Sequence, residues 1–112
     1  MIEQTVIEYL SSVLDVPVDA EIPKGPPERY VVVEKTGSDE QDGLLWATLA
    51  VQSTAPSLYE TMCLNAEVKA TMKGLITLAN VFRCHCETDY NFTDTRLKGR
   101  RYQAVFQIVY KE

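Results

Sequence analysis

The most reactive side chains in this 112-residue chain fall together at Cys84-His85-Cys86, and His85 is the only histidine. Two thiols and an imidazole are ligand types that zinc takes, and a thiol beside an imidazole is how a cysteine nucleophile meets its base. The spacing works against both. Residues 80–88 read as a β-strand with Phe82, Cys84 and Cys86 packed and Arg83, His85 and Glu87 outward, so the imidazole points away from the thiols. No second ligand pair stands at the spacings zinc sites use. Asp39, Glu40 and Asp42 supply oxygen donors, but they miss the EF-hand spacing and lack its flanking helices, and they read as a solvated hairpin tip. The five glycines are scattered at turns rather than gathered in a phosphate-binding loop. Asn91-Phe92-Thr93 spells a glycosylation acceptor that nothing else in the sequence supports. Asp94 and Arg96 read as a local surface ion pair of little energetic weight. The chain is therefore expected to have no catalytic residue, no cofactor and no metal.

The elements that carry these residues follow from hydrophobic periodicity. Residues 2–14 predict an amphipathic helix, with Ile2, Val6, Tyr9, Leu10 and Val13 on one side. Val16, Val18, Ala20 and Ile22 alternate with polar residues in a short strand, and Pro17 and Pro23 place it at a sheet edge. Arg29–Lys35 predicts a β-branched strand, Thr36–Gly43 a hairpin loop, and Leu44–Ser53 a longer strand. Ser57 with Glu60 marks a helix start of the capping-box type, and the helix runs to about Lys73, stopped by Gly74. It carries two apolar stripes: Tyr59, Met62, Cys63, Ala66 and Ala70 on one side, and Leu64, Val68 and Met72 on another. The second is read either as a subunit contact or as part of one wide stripe wedged between the sheet and the first helix. The last strand alternates cleanly, with Tyr102, Ala104, Phe106, Ile108 and Tyr110 on one side and Arg101, Gln103, Val105 and Gln107 on the other.

The order α-β-β-β-α-β-β predicts an α+β fold in one domain, residues 1–112, with a mostly antiparallel or mixed sheet and both helices on one face. A chain of this length buries on the order of 65% of its unfolded surface, enough for a core without metals or staples. Hydrophobic residues make up 46% and charged residues 24%, which argues for a globular rather than a disordered chain. A net charge of −5 argues against a protein that grips nucleic acid by its phosphates. No apolar run approaches the roughly 18 residues a membrane helix needs, and the glutamates near the N-terminus do not suit a signal peptide. Cys84 and Cys86, about 6.5–7 Å apart on one strand, stand at the limit of disulfide geometry. All three cysteines read as reduced and the compartment as cytosolic.

Binding features are expected at three places. The outward sheet face should show Trp46, Thr48, Gln52, Arg83, His85, Gln103 and Gln107, with Trp46 either an anchor for a partner or covered by a loop of its own domain. The loop at Thr88–Gly99 displays Tyr90 and Phe92 among charges and reads as a docking element. Lys98, Arg100 and Arg101 form the only basic cluster.

The opening helix IEQTVIEYL, the segment VPVDAEIPKGPPERYVVVEKTG, the helix SLYETMCLNAEVKATM and the tract TDYNFTDT through RYQAVFQIVY resemble small proteins of Gram-positive siphophages and prophages. These are the tail-terminator, or tail-completion, proteins of the head-tail joining region. The resemblance runs over nearly the whole chain and rests on a string of local similarities rather than on a catalytic signature. It implies a ring, usually of six subunits, that caps the tail tube, stops its polymerisation and joins the head connector. The implied partners are other copies of the chain, the tail tube protein and the connector protein, with DNA only passing through the lumen. The implied location is the host cytoplasm during assembly and then the virion. In that setting the candidate subunit or partner contacts are Trp46, Leu64, Val68, Met72, Tyr90, Phe92, Lys98, Arg100 and Arg101, and Asp39, Glu40 and Asp42 are candidates for a lumen or end-face element that repels phosphate. Two alternatives are another neck component and a small non-catalytic binding module that uses its sheet face.

Overall fold

The computed structural model describes all 112 residues. In chain order the elements are α1 (Ile2–Val13), β1 (Val18–Asp19), β2 (Tyr30–Gln41), β3 (Leu44–Ala55), α2 (Leu58–Met72), a 3-10 turn (Lys73–Thr77), β4 (Val81–Asn91) and β5 (Arg100–Tyr110). The five strands form one sheet in the order β1-β2-β3-β5-β4. The short β1 pairs parallel with β2 and every other pair is antiparallel, so the sheet is mixed and the fold is α+β as the element order predicts. No helix is long and apolar enough to cross a membrane.

The period-two pattern of β5 sets the layers. Ala104, Phe106, Ile108 and Tyr110 are buried, and they meet Ala47, Leu49 and Val51 of β3 and Val31 and Val33 of β2 in the same core. Over this face lie both helices. α1 buries Ile2, Val6 and Leu10, and Leu14 just beyond it continues the four-residue step, while Val13, expected in the apolar stripe, is 57% exposed. α2 buries Leu64, Val68 and Met72. Tyr9 links the two helices by donating its hydroxyl to the carbonyl of Thr71 at 3.0 Å. Gly74 leaves room there for the Tyr9 hydroxyl, which a Cβ at that position would push aside. α2 ends at Met72, within a residue of the expected end, but without a left-handed glycine cap; the chain tightens into the 3-10 turn that contains Gly74. The start of α2 is capped as predicted: Ser57 Oγ accepts from the Glu60 N–H at 3.2 Å and donates to its carboxylate at 2.9 Å.

Two boundaries differ from the sequence expectation for reasons of local chemistry. The segment expected as a hairpin loop at 36–43 is mostly strand, and only Asp42 and Gly43 turn. Both have positive φ, 53° and 78°, which is what a two-residue Asp-Gly turn of type I′ requires. The alternation signal is hidden there because residues 36–41 are all solvent-exposed and held by backbone pairing to β3. At the other end, β1 is only two residues long. It occupies the sheet edge that its prolines suggest, but Asp19 accepts from the Ala20 N–H at 2.7 Å and the chain turns out of the sheet.

Candidate functional site: the interaction surfaces

No helix or second sheet packs on the sheet face away from the helices, although Tyr30 and Thr54 at its lower end are buried beside the segments at 22–28 and 96–99. Strand register places the residues expected on that face in cross-strand rows: Trp46 opposite Val109 opposite Arg83, Thr48 opposite Gln107 opposite His85, and Gln52 opposite Gln103 opposite Tyr90. The polar members bond to one another. Gln107 Nε2 donates to Thr48 Oγ1 at 2.8 Å, Gln52 Nε2 to Gln103 Oε1 at 2.9 Å, and Gln103 Nε2 to the Tyr90 hydroxyl at 2.6 Å. Such a ladder stiffens a flat surface, since each amide is held by its neighbour. Trp46 is half-buried beside its own hairpin, in a hollow shared with Ser38, Asp39, Gln41, Thr48 and Gln107. Its indole N–H is buried without a protein acceptor.

Tyr90 belongs to β4 rather than to a loop, because that strand continues three residues past its expected end. The loop is shorter, residues 92–99, and its aromatic is already engaged. Phe92 stacks edge-on with Tyr90, ring centroids 5.9 Å apart, and the Arg101 guanidinium lies 4.8 Å from its ring centroid. Arg101 also donates to the Phe92 carbonyl at 3.0 Å. Of the expected basic cluster, Arg101 thus anchors its own loop, while Lys98 and Arg100 are exposed and outside any ion pair. Arg96 forks onto Asp94 at 3.0 and 3.1 Å and holds that carboxyl down at about 2. Beside the loop runs a groove of about 640 Å³ lined by Pro26, Pro27, Tyr30, Leu97 and Lys98 among others.

The acidic residues sit at the other end of the strands. Asp39 and Glu40 are on β2 and Asp42 is in the turn; the Asp39 carboxylate accepts from the Glu40 N–H at 2.8 Å and from Gln41 Nε2 at 3.2 Å. Since β3 pairs with β5 from Leu45 opposite Tyr110 to Ala55 opposite Arg100, about 33 Å of strand separates the acidic tip from Arg100.

The structure corrects one group of expected contact residues. Leu64, Val68 and Met72 are each 0% exposed and lie against the sheet, so they hold the monomer together and are closed to a partner. The other stripe faces out: Tyr59 is 75% and Met62 48% exposed, and Cys63, Ala66 and Ala70 are exposed between them. α2 is apolar on both sides, and the triplet Leu64, Val68 and Met72, which carries no hydroxyl or thiol, is the one that takes the core.

Cys84 and Cys86 lie on the helix side of β4 and His85 on the open side, opposite Gln107. All three cysteines are free; burial pushes the Cys84 thiol up to about 11, with the neighbouring Cys86 adding to the shift. No group of three His, Cys, Asp or Glu side chains gathers anywhere in the chain.

Sequence reasoning missed the polar link between α2 and β4. Asp89, on the helix side of β4, accepts from Asn65 Nδ2 at 2.7 Å and pairs with Lys69 Nζ at 2.9 Å. Lys69, ahead of Asn65, holds the Asp89 carboxyl below its usual range, and Asp89 in turn raises Lys69. The available signal was Asn65 inside the buried stripe of the helix with Lys69 four residues on, which asks for an acceptor on the facing strand.

Compared with known proteins, the chain matches no family model and no curated protein.

Proposed function

We propose that this chain is a non-catalytic structural subunit that assembles with copies of itself into a ring at the end of a phage tail tube, ending the tube's growth and meeting the head connector. The local similarities to tail-terminator proteins bring this reading forward, and one observation supports it most. The monomer carries two unlike exposed surfaces on opposite layers, the flat hydrogen-bonded sheet face with Trp46 and the apolar outer stripe of α2 from Tyr59 to Ala70. A ring of more than two subunits needs unlike patches, because each subunit meets its neighbours through different faces. The acidic tip, with Asp39, Glu40 and Asp42, suits a lumen or end face past which DNA moves without sticking.

The test is the solution mass of the purified chain, alone and mixed with the tail tube protein. A hexamer-sized species, or one that appears only with tube ends present, supports the reading. A monomer indifferent to the tube moves the assignment to a different neck component, or to a binding module for which the hollow at Trp46, with its unpartnered indole N–H, is the favoured contact.

A further inference from the structure

The sheet has two edges that no strand of the chain completes. β4 ends the sheet and pairs only with β5. On the opposite side, β1 covers β2 only at Val31 and Val32, which leaves the outer edge of Val33–Gln41 unpaired while its inner edge pairs with β3. Long unpaired edges are templates for another strand, and proteins that stay monomeric commonly blunt them.

We propose that these two edges are made for each other: β4 of one copy pairs antiparallel with the upper half of β2 in the next. The polarity is right. Direction reverses at each step from β2 through β3 and β5 to β4, so a second copy set beside the first in the same orientation brings its β2 antiparallel to β4. The neighbour's β1, against Val31 and Val32, stands level with Tyr90 and Asn91, so the pairing is confined to the upper part of β4, Arg83–Cys86, and β4 must bend away at the irregularity between Cys86 and Thr88. Backbone regularity matches as well. The register of β4 shifts between Val81 and Arg83 and again between Cys86 and Thr88, which frames Arg83–Cys86 as one regular stretch. The register of β2 shifts between Lys35 and Gly37, and Gly37–Gln41 beyond it is regular.

Charge complementarity sets the level. Asp39, Trp46, Val109 and Arg83 form one row across the open face, with Asp39 at one edge and Arg83 at the other. When the sheet continues level from copy to copy, Arg83 meets the neighbour's Asp39, and His85 comes opposite Gly37, which has no side chain to obstruct. Opposite charges directly across a strand pair favour that register, and a slip by one residue separates them. Each copy uses a different edge toward each neighbour, so the contact repeats in one direction and forms a closed ring or an open filament. The proposal deepens the ring reading and rests on it only for closure. Glu40 and Asp42 remain free at the tip.

The test is disulfide trapping in the full chain with Cys63→Ser, which removes the exposed thiol. The double variant Asp39→Cys/Arg83→Cys is oxidised and run without reductant, and each single variant serves as its control. The expected result is a ladder of multiples of 12.7 kDa in the double variant that stops at the ring size, and dimers at most in the singles. An assembled species without a ladder overturns the edge pairing and leaves the ring reading standing. A ladder without an upper limit supports the pairing and overturns the ring. A monomer with and without tube ends overturns both. As an independent readout, Arg83→Glu should weaken assembly about tenfold, and adding Asp39→Lys should restore it; an unrestored double variant counts against the pairing.

Discussion

Asp89 is the acid that ties an edge strand to the helix layer, through Asn65 and Lys69. Its carboxyl is held below the usual range in the fold, so the unfolded chain binds its proton first as pH falls. The stabilisation is complete above the ordinary carboxylate value, about 3.9, and is lost as pH drops through the lowered folded value. Asp89→Asn should cost about 1 kcal/mol at neutral pH, a modest figure because the pair is partly solvated, and its stability should fall less steeply than wild type below about pH 4. Urea melts of the two proteins across that range check this, and the Asp94–Arg96 pair, present in both, drops out of the difference. Gly99 offers a backbone test at the same scale. It has φ +82°, and a Cβ there would lie 2.7 Å from the Ala55 carbonyl oxygen. Gly99→Ala should cost about 2–3 kcal/mol in thermal or urea unfolding. Gly25→Ala, at φ +55° with open space around it, should cost about 1 kcal/mol.

At the scale of elements, α2 is the informative helix because both of its sides are apolar and only one is covered. Leu64→Ala should cost about 2–5 kcal/mol of monomer stability. Ala66→Glu, on the outward side, should change stability by no more than about 0.5 kcal/mol and should reduce assembly; unfolding curves and solution mass separate the two effects. Periodicity in the sequence revealed that two stripes existed, but it could not rank them, since the choice depends on which volume fills the space over Phe106 and Leu49 in three dimensions. The register of the open sheet face, from Trp46 to Gln107, was legible because alternation in β3 and β5 is clean and a one-residue slip would invert it. The upper half of β2 was not, because strand pairing without burial leaves no hydrophobic pattern; there the Asp42-Gly43 turn was the signal to use. The link from Phe92 to Arg101 was equally hidden, since it forms between a loop and the strand that follows it.

Across the whole molecule, acid and base lie at opposite ends of the strands, Asp39, Glu40 and Asp42 at one and Lys98 and Arg100 at the other. Replacing Glu40 by lysine and Asp42 by asparagine, which keeps the positive φ of the turn and spares the Asp39 of the edge contact, should leave the fold and its melting midpoint near wild type, because both are exposed, while it lowers infectivity by hindering DNA passage or joining. Infectivity equal to wild type in a complementation assay would remove the acidic tip from the lumen. The strand order has a further consequence during synthesis. β3, at the centre, takes one neighbour from nearby sequence in β2 and the other from β5, whose first residue Arg100 is 45 positions beyond its partner Ala55. While a ribosome is still making residues 100–110, the nascent hairpin of β2 and β3 displays one uncovered edge of its most hydrophobic strand, and β4 has no place to dock. Closure waits for the arrival of β5 between them, so the interval before it emerges is when this chain is most open to wrong pairing and has most need of a chaperone.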